Sequence, residues 1–159
     1  MKSILILLAC LIVCVFGTNY NAPCGSGTCG DHQTCLNYQD HPYCVINDDC
    51  KMVAVAQYKN GTWCEGDGKE FSKYDVYIYN YGNQVVKNVY IDTDCTLKFR
   101  NFNAADCSGS FWNVNFDSHH GVFTLPAYST GIAPKDAHYF GYIIEGRQSP
   151  NLKIRRVDF

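Results

Sequence analysis

The chain has 159 residues, of which 47% are hydrophobic, 14% aromatic and 18% charged, with a formal net charge of −2. That is too hydrophobic for a disordered protein and too short for two full-size catalytic domains, and without a basic field nucleic acid is not expected as a partner. Ten cysteines in so short a chain point to a disulfide scaffold and an oxidising compartment.

In chain order, Lys2 supplies a positive start and residues 4–16 form a run of 13 small or apolar residues. Val15 and Gly17 then put small residues at the −3 and −1 positions of a cleavage site. This predicts a signal peptide over residues 1–17 and a secreted, extracellular product. A 13-residue run, at about 1.5 Å per residue, is too short for a hydrocarbon core about 30 Å thick, so no membrane anchor is expected. Removing it takes away Cys10 and Cys14 and leaves 142 residues.

Eight cysteines remain: Cys24, Cys29, Cys35, Cys44, Cys50, Cys64, Cys95 and Cys107. An even number suggests up to four bridges, and the sequence does not choose among the pairings. If all eight pair, at least one bridge joins the first five to the last three. No Cys-x-x-Cys pair occurs, so zinc is not expected, and neither a metal nor a cofactor is assigned. Residues 18–50 are polar, rich in Gly and Cys, and lack a periodic apolar face. Such a piece cannot bury enough area alone and must be stapled. Its run Cys29-Gly30-Asp31-His32-Gln33-Thr34-Cys35 and the closing Tyr43-Cys44-Val45 resemble the short follistatin-like cysteine repeats of secreted matrix proteins. An EGF-like reading of the same spacing stands beside it.

Asn60-Gly61-Thr62 is the single N-x-S/T acceptor after residue 17 and predicts a glycan on a surface loop. From residue 51 the apolar period becomes two. Tyr74, Val76 and Ile78 share one face of a strand over residues 71–80, with Lys73, Asp75, Tyr77 and Tyr79 on the other. A turn at residues 81–84 leads to a strand over 85–92, with Val89 and Ile91 inward. Further strands are expected over 111–116, 121–125, 137–145 and 152–157. The expected fold is therefore all-β: an antiparallel β-sandwich over residues 51–159, with a small disulfide-rich N-terminal module over 18–50.

Residues 63–144 resemble carbohydrate-binding module family 49. The matching pieces run in order: Trp63; Tyr74-Asp75-Val76-Tyr77-Ile78-Tyr79-Asn80; Val85-Val86-Lys87-Asn88-Val89-Tyr90-Ile91; Phe111-Trp112-Asn113-Val114. They continue through Phe123-Thr124-Leu125-Pro126-Ala127-Tyr128 and Ile132-Ala133-Pro134 to Tyr139-Phe140-Gly141-Tyr142-Ile143-Ile144. These modules end plant family 9 cellulases and occur alone in secreted cellulose-binding proteins of social amoebae. The resemblance implies a β-sandwich that binds cellulose or a related β-glucan, without catalysis, through surface aromatics. It assigns sugar binding to Trp112 and Tyr128, with Trp63 as a third. The family more often has Trp where Tyr128 stands. The cysteines at 64, 95 and 107 and the insertion at 102–109 also depart from the plain plant pattern.

Aromatic rings suit this task because a β-linked glucan presents flat, C–H-covered pyranose faces. Asn113, Asn115 and Gln148 are expected to add hydrogen bonds to sugar hydroxyls. For Trp63 the core is the stronger claimant, since a tryptophan in a sandwich is more often packed than presented. Tyr77, Tyr79 and Tyr90 form an alternative outward set. Asp92 and Asp94 share a strand face and are read as a solvated strand end rather than a calcium or glycosidase pair. His119-His120 is read as a polar loop. The alternative function is a structural matrix or coat protein that contacts other proteins and has weak or lost sugar binding. A small hydrolase is not expected, since no nucleophile motif appears.

Overall fold

A computed structural model describes residues 22–30, 33–38, 40–46, 52–100 and 108–159. The predicted signal peptide, the boundary at residues 50 and 51, Cys50 and Cys107 lie outside the described residues. The strands are β1 (Ala22–Cys24), β2 (Gly27–Cys29), β3 (Gln33–Tyr38), β4 (His41–Ile46), β5 (Val53–Cys64) and β6 (Glu70–Asn80). They continue with β7 (Asn88–Thr93), β8 (Phe111–Trp112), β9 (Asn115–Asp117), β10 (Val122–Thr124), β11 (Ala137–Glu145) and β12 (Leu152–Asp158). The fold is all-β, as expected.

Two sheets face each other. One has the order β5-β6-β11-β8 and is antiparallel throughout. The other has the order β4-β3-β12-β7-β10-β9. Alternation along β6 explains the first sheet. Tyr74, Val76 and Ile78 are buried, and the residues between them face outward half-covered. Across the core, Val89 and Ile91 of β7, Phe123 of β10 and Val157 of β12 are sealed from water. The layers meet in one cluster, where the Phe123 ring lies 5.4 Å from Phe140 and 6.1 Å from Phe99. Each such burial contributes roughly 1.5–3 kcal/mol. Two polar groups inside are satisfied locally. The Tyr74 hydroxyl donates to the Arg147 carbonyl at 2.8 Å. The Asn80 amide donates to the carbonyls of Gln84 and Ile132 at 2.7 and 3.0 Å and anchors the turn after β6.

Several elements differ from their predicted form. The strand expected over 111–116 is two, β8 and β9, in different sheets. Asn113 breaks it with a left-handed φ of 58°, which turns the chain from one layer to the other. Val86 makes only an isolated bridge, to Ile132, so β7 begins at Asn88. The cysteine-rich segment is joined to the sandwich rather than merely tethered. Its β3 pairs parallel with β12, setting Leu36 opposite Val157, and Leu36 enters the common core at 2% exposure. Bridges Cys24–Cys35 and Cys29–Cys44, each with Cα atoms 5.5 Å apart, staple this segment. Cys95 is also disulfide-bonded. Cys64, counted from the sequence among the paired cysteines, carries a free thiol. It lies exposed at the end of β5, with its sulfur 3.9 Å from Glu70 Oε1.

Candidate functional site

The outer face of the four-stranded sheet carries rings. The register aligns the outward residues of neighbouring strands: Tyr58 of β5 opposite Asp75 of β6, Tyr77 of β6 opposite Tyr139 of β11, and Gly141 of β11 opposite Trp112 of β8. Gly141 is the seat of Trp112. A Cβ at that glycine would stand 2.1 Å from Cζ2 and 2.5 Å from Cε2 of the indole, so the ring lies across bare backbone. Trp112 is half-buried in that position.

Hydrogen bonds lock the ring row. The Trp112 indole N–H donates to the Tyr139 hydroxyl at 3.3 Å, and that hydroxyl donates to Asp75 Oδ1 at 2.9 Å. Asn60 Nδ2 donates to Asp75 Oδ2 at 2.5 Å. Lys73 Nζ lies 3.8 Å from Asp75 Oδ1 and 5.3 Å from the Trp112 ring centre. Partial burial pushes the Tyr139 phenol up, and the Asp75 carboxylate beside it adds to that against the Trp112 donor. The rings continue past Tyr139. Tyr77 is centred 5.4 Å from Tyr139 and 5.9 Å from Tyr58. Along β6, Tyr77 and Tyr79 are 5.9 Å apart with planes 20° from parallel, and Tyr79 and Tyr81 are 5.7 Å apart at 12°.

Tyr128 approaches from the loop after β10 and is 75% exposed. Its hydroxyl donates to Asn113 Oδ1 at 2.5 Å, and the Asn113 amide donates to the Tyr139 carbonyl. Asn113 therefore links Tyr128 to the strand that seats Trp112. Trp63 stands opposite Phe71 on β5 and packs on it with centres 6.1 Å apart. It is half-buried, outside the central core, with the outward parity of Asp75 and Tyr77. Phe71 and Asp75 are four positions apart, which places Trp63 about 13 Å along the strand from the Asp75 level. The structure thus brings Trp112 and Tyr128 together and leaves Trp63 at the far end of the same face.

Other expectations need correction. Tyr90 lies on β7, in the opposite sheet, so it cannot share a face with Tyr77 and Tyr79. It borders a hollow of about 270 Å³ on the far side, with Arg156 stacked 5.1 Å from its ring centre. Asn60 sits within β5, exposed at a register break between Lys59 and Thr62, rather than in a loop. Asn113 serves the frame of the site, and Asn115 donates to the Leu125 carbonyl at 3.2 Å. Gln148 lies apart, beside Arg147 and Gln57. Asp92 is not a solvated strand end. Burial pushes its carboxyl up against the opposing charges of Arg155 and Lys153, and Arg155 Nη1 stands 3.1 Å away. Asp94 turns to other partners, accepting from Thr96 N and Asn151 Nδ2 at 2.8 Å each. His120 pairs with Asp117 at 2.6 Å in an exposed turn.

Sequence reasoning passed over Tyr58, Tyr81 and Tyr139 as site residues. The signal for Tyr139 was its parity with Gly141 in the 137–145 strand. Tyr58 and Tyr81 join the row only through the pairing and turn of β5 and β6.

A face of this kind can stack on the C–H faces of sugar rings while its polar partners meet hydroxyl edges. The profile of the carbohydrate binding domain CBM49 matches residues 53–146, the segment that builds this face. Two proteins of Dictyostelium discoideum, stalk-specific protein A and stalk-specific protein B, are each 36% identical to the chain over 162 aligned residues. Those alignments cover the whole of this chain and the whole of each relative. No solved structure matches the chain. The ring-bearing sandwich, the profile match over more than half the chain and the full-length relatives agree: the chain belongs to the CBM49 family of carbohydrate-binding domains.

Proposed function

We propose that this protein is secreted and binds cellulose, or a related β-1,4-glucan, in an extracellular matrix or coat, without catalysis. The observation that carries the reading is the pairing of Trp112, laid flat over Gly141, with Tyr128, three-quarters exposed beside it. Stacking of a ring on a flat ligand is worth roughly 1–3 kcal/mol per contact by analogy with bases. Two or three such contacts, less the cost of association, support modest affinity per molecule. An insoluble glucan presents many equivalent sites, which raises the amount bound and not the strength of each contact. Trp63 supplies a remote third contact. Two disulfides within residues 24–44 favour an oxidising compartment, in keeping with a signal peptide over 1–17. The stalk-specific names of the relatives favour a matrix setting.

The test is retention of the mature protein on microcrystalline cellulose, with Trp112→Ala, Tyr128→Ala and the double variant as comparisons. Strong retention of wild type and loss in the double variant is expected. Equal retention of both would remove the proposed site. A wild type that ignores cellulose but co-purifies with matrix proteins would replace sugar binding with a structural role. The smaller ring at Tyr128, its hydroxyl committed to Asn113, is the observation behind that second reading.

A further inference from the structure

Asn60 combines two properties. It is the acceptor of the chain's one sequon after residue 17, and its side-chain nitrogen is bonded to the centre of the aromatic face. The contact runs from Asn60 Nδ2 to Asp75 Oδ2, and the other oxygen of Asp75 holds Tyr139, which holds Trp112. Asp75 stands opposite Tyr58 in the register and one outward position from Tyr77. The acceptor nitrogen is thus two hydrogen-bonded residues from Trp112. Asn60 is exposed, and a Cβ at Gly61 would meet nothing within 4 Å, so the sequon opens to solvent.

We propose that N-glycosylation of Asn60 regulates the aromatic face by placing a tethered pyranose over Tyr58, Asp75 and Tyr77. This rests on the glucan-binding reading above and adds a control to that same face. In the modification, the Asn60 amide nitrogen attacks the anomeric carbon of a lipid-diphosphate-linked oligosaccharide. A C–N bond forms, the bond from that carbon to the diphosphate oxygen breaks, and the lipid diphosphate leaves. The amide keeps one of its two protons, and the other ends on the departing lipid diphosphate. The first sugar then stands within reach of rings suited to stacking on sugars. A ligand on so short a tether has an effective concentration of order millimolar, enough to compete with a site of modest affinity. The glycan acts as an occupant of its own protein's site and as bulk against a flat solid.

The test compares three proteins secreted from one eukaryotic host: wild type, Thr62→Val and Asn60→Gln. Thr62→Val removes the sequon and leaves Asn60 free to hold Asp75, so loss of the Asp75 contact is separated from loss of the glycan. Intact mass reports occupancy, and binding isotherms on microcrystalline cellulose report affinity. The expected result is a glycosylated wild type bound about fivefold more weakly than Thr62→Val, while Asn60→Gln, which lacks the Asp75 contact as well as the glycan, reads what that contact itself contributes. Equal affinity of a fully occupied wild type and Thr62→Val overturns the proposal and leaves the glucan reading intact. So does a wild-type mass without a glycan. Failure of all three proteins to bind overturns the glucan reading, and the regulation falls with it.

Discussion

The Trp112 indole occupies the space that a side chain at position 141 would need, with Cζ2 only 2.1 Å from where a Cβ on Gly141 would stand. This makes residue 141 a determinant of ring orientation without itself presenting a side chain. Gly141→Ala is expected to lift or rotate the indole and cost about 1–3 kcal/mol of stability, as overpacking does. Retention on microcrystalline cellulose should fall to the level of Trp112→Ala while the far-UV circular dichroism stays that of the wild type. Wild-type retention by a folded Gly141→Ala protein would show that the flat seat is irrelevant to binding.

Tyr128 separates ring area from hydrogen bonding. It is 75% exposed, so truncation should barely change stability, within about 0.5 kcal/mol. Its effect belongs to binding. Tyr128→Ala should lose a stacking contact of roughly 1–3 kcal/mol, while Tyr128→Phe keeps the ring and loses only the bond to Asn113. Tyr128→Trp offers a larger face and should bind more tightly than wild type. Isotherms on cellulose would rank the four proteins Trp, Tyr, Phe, Ala. A Phe variant as weak as the Ala variant would shift the credit to the hydroxyl.

The cysteine-rich segment makes a different prediction, because it is both stapled and paired into a sheet. Cys29 and Cys44 close a loop of sequence separation 15, for which the chain-entropy estimate is about 3 kcal/mol. Replacing both by Ser should loosen β3 and β4 while the four-stranded sheet, which they do not enter, persists. Amide exchange should quicken at Leu36 and its neighbours and stay slow at Val76 and Phe140. Uniform acceleration through both sheets would instead show that β3 is an integral part of one cooperative unit.

The alternation of β6 and the bounds of β11 were readable because side chains on a half-buried strand report their own face. Where chains meet was less legible. Nothing at Tyr90 says that its strand joins the opposite sheet, since Tyr77 and Tyr90 each alternate with inward residues of their own strand and have the same chemistry. The break at Asn113 depends on one left-handed residue, which asparagine tolerates but does not announce. The parallel pairing of β3 with β12 joins residues some 120 positions apart, as between Cys35 and Arg156. The ring row owes its continuity to such pairings, so Trp112 could be named in advance from the family resemblance and Tyr139 from its strand parity, while Tyr58 could not.

Asp94 gives the fold a measurable acid limit. Its carboxylate accepts from Thr96 N and Asn151 Nδ2 at 2.8 Å each, tying the turn after β7 to the start of β12. Partial burial alone would push this carboxyl up, but the bonds from Thr96 and Asn151 outweigh it and hold it below its ordinary value of 3.8. The folded value is depressed, so the contribution is complete above pH 3.8 and lost as pH falls through the lower folded value. Asp94→Asn removes the charge at every pH. It should lower stability by about 1 kcal/mol near neutrality, where hydrogen bonds to a charged group are at stake in a half-exposed turn. The gap between wild type and variant should then close in acid, once the wild-type carboxyl is itself protonated. Thermal melts of both proteins between about pH 2 and pH 7 test this. A gap that stays constant across the series would mean that Asp94 acts through shape and not through its charge.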